Sequence, residues 1–335
     1  MKFIGFCSEA GDDLSCFFGP SSRDNCNEPF HVLQRECEAR GYRIVPLRTG
    51  QLRDCEHVVF WDAHGFDNSF IRHVKSRCTR GRVGLVLWEP PSVRADNWNQ
   101  EFHAPFDRIL TWNDSLVDNI RYFKFHVAGI GTNPAVMRVP FEQKKMLVNI
   151  SMHKFSPYRY ELYSARRRSI QYFEKHASSD FDLYGHGWNP RLSLKLLLRV
   201  LFRRRLDLLR HYSSYRGAIA NKWDVLPKYK FALCYENASD QVGCVTEKIF
   251  DYMRGDCIPI YWGAPNVTSY VDSAAFIDRR QFESDSSLHG YIKAVSSTEY
   301  EVYRNAISRY LAGPKFQMFL PPYFASSFLR FLGIV

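Results

Sequence analysis

The sequence predicts an α/β protein made of two Rossmann-like domains that face a cleft. Short apolar runs alternate with polar, helix-compatible stretches, and the alternation restarts near position 146. At 335 residues the chain also exceeds what one core usually holds, since a domain takes roughly 100–200 residues. Hydrophobic residues make up 45% and charged residues 24%, which excludes a disordered, collagen-like or coiled-coil chain. No stretch approaches the roughly 18–20 uninterrupted apolar residues of a membrane-spanning helix.

In the first half, strands are expected at Lys2–Cys7, Arg43–Pro46, His57–Trp61, Val83–Trp88 and Arg108–Thr111. Phe30–Arg40 reads as a helix closed by Gly41, so the first two strands form a βαβ unit with a parallel pair. The second half repeats the pattern. Met146–Ile150 is a strand, Glu161–His176 a helix, and Phe181–Tyr184 a strand ending at Gly185. Lys230–Cys234 is a further strand, Thr246–Arg254 a helix closed by Gly255, and Cys257–Trp262 a strand ending at Gly263. The expected division is an N-terminal domain over 1–145, a C-terminal domain over 146–310 and a tail over 311–335.

The charge balance of 45 Lys and Arg against 35 Asp and Glu gives +10, which fits nucleic acid, a phosphorylated substrate or an anionic membrane surface. Much of it sits in 189–212, where Arg191, Lys195, Arg199 and Arg203 recur every four residues among Leu, Val and Phe. Such a segment is either a solvated helix with a core-facing stripe or an interfacial helix on an anionic membrane. No nucleic-acid-binding motif accompanies it, so no nucleic-acid partner is expected. The apolar stretch Phe316–Val335 either attaches to a membrane as well or docks on the core.

The apolar run at the N-terminus is shorter than the about 7–15 residues of a secretory signal, so a cytoplasmic location is expected, peripheral on the inner face of the membrane if 189–212 is interfacial. Of the nine cysteines, six lie between Cys7 and Cys78 and none forms a Cys-x-x-Cys pair. Reduced, scattered thiols are expected, with no zinc site.

Tyr229–Pro265 carries the chemistry. A strand ends at Cys234, so Tyr235, Glu236 and Asn237 leave the sheet at its carboxyl edge, where ligands bind in open α/β sheets. Thr246 can cap the following helix, whose N-terminus offers free N–H groups, and Lys248 adds a charge in its first turn. Together these suit a diphosphate. In the first half, Glu89 follows the carboxyl end of the strand ending at Trp88, in a rigid Glu-Pro-Pro-Ser turn. A carboxylate walled by Trp88 and prolines has the raised proton affinity a general base needs. Asp62 and His64 form a rival constellation that reads more simply as a satisfied turn. Asp180-Phe181-Asp182 has the look of a metal-binding pair but is taken as the start of a strand.

The run YKFALCYEN, then VTEKIFDYMRGDCIPIYWGAP, resembles the signature of glycosyltransferase family 10, the α1,3/α1,4-fucosyltransferases. The resemblance is strong over about 146–285 and weak before it. It implies a GT-B fold, with GDP-fucose bound mainly by the C-terminal domain and the acceptor by the N-terminal one. It implies inverting transfer without a metal on the diphosphate and without a cofactor. Glu89 would be the base. Lys248 and one arginine of the helix would hold the diphosphate: Arg166 fits the spacing to Ile170 and Phe173, whereas counting back from Gly185 gives Arg168. Glu247 would bind fucose hydroxyls, with Tyr235 and Asn237 shaping the nucleotide pocket and Glu236 and Thr246 within the donor motif. The family usually has an aromatic residue where Cys244 stands, which leaves open a different nucleotide sugar. An oligosaccharide or lipid-linked glycan of a surface polysaccharide is the expected acceptor, and a non-catalytic binding protein of the same fold is the alternative.

Overall fold

The computed structural model describes all residues except 10, 22–23, 48–51, 63–65, 79–80, 133, 190–209 and 335. Most of the basic segment expected to be a helix therefore lies outside the described residues, as does His64. Two parallel sheets form the molecule. The first holds β1 (Lys2–Cys7), β2 (Tyr42–Pro46), β3 (Cys55–Trp61), β4 (Val83–Leu87), β5 (Arg108–Thr111) and β6 (Tyr122–Lys124), in the order β2-β1-β3-β4-β5-β6. Its first crossovers run through α1 (Glu28–Ala39) and α2 (Asn68–Arg77). All of β4 is buried, as are Val58 to Trp61 of β3. Layers covering both faces explain why these strands read as unbroken apolar runs rather than alternating ones.

The second sheet holds β7 (Lys145–Ile150), β8 (Phe181–Tyr184), β9 (Tyr229–Tyr235), β10 (Ile258–Trp262) and β11 (Ile277–Asp278), in the order β11-β10-β9-β7-β8. Between β7 and β8 lies α3 (Tyr163–His176), and between β9 and β10 lies α4 (Glu247–Arg254). Thr246 caps α4 by accepting the Lys248 N–H, and Gly255 closes it. The capping and stop residues of this helix do what their side chains predict. The edge strands β6 and β11, three and two residues long, were not expected. Runs so short carry no usable periodicity.

After α5 (Asp285–Ala294) and α6 (Ser297–Ala312), the chain returns to the first sheet as α7 (Pro321–Leu332). Phe324 meets Phe30, Trp88 and Phe125 at ring separations of 6.0 Å. Phe331 brings the tip of its ring to β4, its Cζ 2.2 Å from where a Cβ on Gly84 would stand. Carbonyls that end α7 accept from Arg82, at Leu332, and from Arg108, at Arg330 and Phe331. These side chains satisfy groups a helix end leaves open. Of the two expectations for the apolar tail, it docks on the core: Phe316 and Phe319 pack in the C-terminal unit and Phe324 to Ile334 in the N-terminal one. No helix among the described residues is long and apolar enough to cross a membrane. All nine cysteines are free thiols, seven of them buried.

Candidate active site

The carboxyl ends of the two sheets enclose a cavity of ≈ 500 Å³, with a smaller hollow of ≈ 160 Å³ beside it. Glu89 lines both. Its turn is fixed through the backbone. Asp62, at the end of β3 with φ +58°, accepts from the N–H groups of Trp88 (2.8 Å) and Glu89 (3.2 Å) and from Asn97 Nδ2 (2.6 Å). The Glu89 carbonyl accepts from Trp98 Nε1 at 3.0 Å, and Trp88 stacks on Phe125. The Glu89 carboxylate, by contrast, has no hydrogen-bond partner among the described residues. Burial, then the Asp62 charge, pushes it above the usual carboxylate range, against a weaker pull from Lys154, Lys248 and Arg94. A half-buried carboxylate without a hydrogen-bond partner among the described residues, on a fixed turn, is suited to accept a proton. Asp62 is a positioning residue for that turn; its own carboxyl is raised by burial although its hydrogen bonds oppose the shift.

The C-terminal wall collects cations. Arg166, on α3 and 6% exposed, donates from Nη2 to the carbonyls of Tyr235 (3.0 Å) and Glu236 (3.2 Å), and its buried Nε has no partner among the described residues. Burial lowers its proton affinity from the usual arginine value. Arg168, two residues on, is exposed and does not line the cavity. The helical rotation between them is about 200°, so the spacing that favoured Arg168 is corrected in favour of Arg166. Lys248 Nζ lies 2.7 Å from Glu236 Oε2. Burial alone would lower its proton affinity, but the Glu236 and Glu247 carboxylates outweigh that and hold the ammonium above the usual lysine value.

Glu236 is the residue whose expected role changes most. It is 2% exposed, and besides Lys248 its carboxylate accepts from the Thr246 N–H (3.0 Å) and hydroxyl (2.9 Å). The protein's own carboxylate therefore occupies part of the helix N-terminus that the sequence reading left free for a diphosphate. Glu236 and Thr246 orient Lys248 rather than present their own side chains to the main cavity, which neither lines. Gly263 permits this, because a Cβ there would stand 2.4 Å from Glu236 Cγ. Tyr235, Asn237 and Glu247 do line the main cavity. The Tyr235 hydroxyl is bonded to Ser169 Oγ at 3.0 Å, and the Asn237 carbonyl accepts the Leu162 N–H at 3.0 Å.

Cys244 is buried in the N-terminal core although it belongs to the C-terminal motif. Its loop buckles the two units together. Asp114 accepts from Asn266 Nδ2 (2.8 Å), Tyr270 OH (2.6 Å) and Lys124 Nζ (2.6 Å), while its N–H donates to the Val242 carbonyl at 3.2 Å. Gly243, at φ +85°, is required there, since a Cβ would stand 2.6 Å from the Trp112 carbonyl oxygen. Asp182 is spent elsewhere, held by Lys145, Arg216 and the Tyr229 hydroxyl. No group of three or more His, Cys, Asp or Glu among the described residues could hold a metal ion.

Lys154 and Lys222 also line the cavity, and neither was singled out from the sequence. Lys222 is held by Asp251 at 2.7 Å and by Asp24, from the N-terminal unit, at 3.5 Å. Burial pushes Asp251 up to about 6 even so.

Residues 159–310 match the family described as glycosyltransferase family 10 (fucosyltransferase), C-terminal. The C-terminal half carries a glycosyltransferase family 10 domain. The α-(1,3)-fucosyltransferase FucT of Helicobacter pylori is 40% identical over 75 residues, 22% of this chain and 16% of that protein. An Arabidopsis thaliana α-(1,4)-fucosyltransferase is 37% identical over 81 residues, 23% of this chain and 20% of that protein. The chain thus spans a fifth or less of these relatives. A crystallised α1,3-fucosyltransferase superposes over 99% of this chain and 90% of its own, with a TM-score of 0.58 at 15% identity. That likeness establishes the fold, a GT-B arrangement in which the family 10 domain forms the C-terminal wall of the cleft.

Proposed function

We propose that the protein is an inverting α1,3-type fucosyltransferase that moves L-fucose from GDP-β-L-fucose to a hydroxyl of a glycan acceptor. The observation that carries this reading is that Glu89, Arg166 and Lys248 line one cavity of which the family 10 domain forms a wall. The Glu89 carboxylate takes the acceptor hydroxyl proton, the acceptor oxygen forms a bond to the fucose anomeric carbon, and the bond to the diphosphate breaks on the opposite face. Inversion turns the β-linked donor into an α-fucoside. Arg166 and Lys248 stabilise charge on the leaving diphosphate, so no metal is needed there. Glu247 and Asn237 contact the sugar and nucleotide. The acceptor is GlcNAc or Glc of a surface-polysaccharide precursor, bound against the N-terminal wall.

A second reading, a different nucleotide sugar, is favoured by Cys244, whose side chain is drawn into the N-terminal core where the family places an aromatic residue. Titration of the protein with GDP-fucose, GDP-mannose and UDP-sugars, with transfer to N-acetyllactosamine and a chelator control, separates the two. Selective GDP-fucose binding, retained by Glu89→Gln while transfer is lost, supports the first. Guanosine diphosphate binding without preference for fucose supports the second. Binding of no sugar nucleotide overturns both.

A further inference from the structure

We propose that Lys154 is a further contact for the donor diphosphate, outside every motif the sequence reading assigned to that task. The inference rests on the donor reading above. Among the described residues four cationic side chains line the main cavity: Lys154, Arg166, Lys222 and Lys248. Two of them are already neutralised by the protein. Lys248 is paired with Glu236 at 2.7 Å, and Lys222 with Asp251 at 2.7 Å and Asp24 at 3.5 Å. Arg166 meets backbone carbonyls and keeps its net charge, but deep in the wall. The Lys154 ammonium has neither a hydrogen bond nor an ion pair among the described residues, where only its carbonyl is engaged.

A single uncompensated ammonium on a mobile loop would mean little. Here the backbone is tied down on both sides. The Lys154 carbonyl accepts from Arg167 Nη1 at 2.6 Å, and that guanidinium packs over the Phe155 ring at 4.1 Å. Two residues on, Ser156 Oγ donates to the Ser92 carbonyl at 2.7 Å, bridging to the turn that carries Glu89. Lys154 thus stands on a segment braced against both walls. Among the described residues two further charges without a hydrogen bond or ion pair line the cavity, Glu247 on the C-terminal wall and Glu89 on the N-terminal one, and Lys154 is the first among the cations that pull the proton affinity of Glu89 down.

Two opposite, uncompensated charges across one cavity have complementary uses. A dianionic diphosphate is drawn to the cation, because a charge-assisted bond to an ammonium not already paired gains most. Once the diphosphate engages Lys154, less of that charge acts on Glu89, whose affinity for the acceptor proton rises. Donor occupancy thereby arms the base. Lys154 would then bind and tune, while Glu89 carries the proton.

Calorimetric titration of the full chain with GDP, GMP and guanosine tests this, using the wild type, Lys154→Met and Lys154→Arg. The expected result is that Lys154→Met loses about tenfold or more in GDP affinity with guanosine affinity unchanged, and that Lys154→Arg recovers most of the loss. In turnover, the acid limb of the Lys154→Met rate profile without saturating donor should move to higher pH. GDP binding by Lys154→Met within about twofold of wild type would overturn the role of Lys154 alone. Equal loss for GDP and guanosine would overturn it too, by showing a general defect of the pocket. Failure of the wild type to bind GDP would overturn the donor reading and this inference with it.

Discussion

On the N-terminal side of the cleft, Glu89 faces the cavity with a fixed backbone and an unpartnered carboxylate; on the C-terminal side, Lys248 is held 2.7 Å from the buried carboxylate of Glu236. The contrast suits what each group would do in the proposed transfer. A base must keep a lone pair available, so its surroundings can secure the main chain but not the carboxylate itself. A cation that only has to stay charged is cheaper to hold when an opposite charge shares its desolvated site. Under the proposed reaction the N-terminal wall would keep a carboxylate free to take a proton, and the C-terminal wall would keep a cation neutralised until an anion arrives.

Glu89→Gln should break the contrast most severely. Turnover is expected to fall about 10²–10⁴-fold, the range for loss of a general base, with guanosine diphosphate affinity preserved in a calorimetric titration. Near-normal turnover would show that the unpartnered carboxylate has no chemical role. Glu236→Gln attacks the other wall by leaving Lys248 without its counter-charge and Thr246 with a weaker acceptor. A loss of about 1–3 kcal/mol in denaturant unfolding is expected, less than for a fully buried pair because Lys248 is partly exposed. No change in the midpoint would mean that Lys248 does not need neutralising.

A smaller effect is expected from Gly84→Ala, which loosens the N-terminal wall from behind. The new methyl would meet the Phe331 ring, so α7 must shift, at about 1–3 kcal/mol. Thermal unfolding measures it, and turnover per folded molecule should hardly move. Asp62→Asn should be the mildest. Asparagine still accepts the Trp88 and Glu89 N–H groups but removes the charge that helps raise Glu89. Because the base works when deprotonated, activity falls as pH drops through its folded value, above the ordinary glutamate value of about 4.3. Removing the Asp62 charge lowers that value, so the acid limb of the rate profile should move to lower pH by about one unit or less. A limb that stays put would exclude Asp62 as a source of the shift.

How much of this could be read beforehand differs between the same two walls. The family 10 motif lies in one continuous stretch, so strand, turn, cap residue and helix each announce the next, and Thr246, Glu247 and Lys248 were found together. That Glu89 lies at the cleft is legible because a strand end, a tryptophan and two prolines mark a rigid turn. What the stretch could not reveal was the direction of Glu236. Neighbouring residues at a strand end point to opposite faces, and only the space left by Gly263 shows that its carboxylate folds back on Thr246. Lys154 and Lys222 reach the cleft from connections without periodicity, far apart in sequence. The choice between Arg166 and Arg168 turned on helix phase, which spacing to distant landmarks does not resolve. Cys244 was noticed as a departure, but its burial in the other unit depends on how the two sheets meet.

The bond between Arg82 and Leu332 joins positions 250 residues apart, and that has a consequence for how the protein is made. A ribosome adding about 5–20 residues per second needs about 12–50 s to travel from one to the other. The strands from β4 to β6 are made early in that interval, and for the rest of it the aromatic surface that receives Phe324, Phe328 and Phe331 has no cover. The domain synthesised first is therefore the one completed last, and until α7 arrives its nascent form exposes the apolar face that this helix covers.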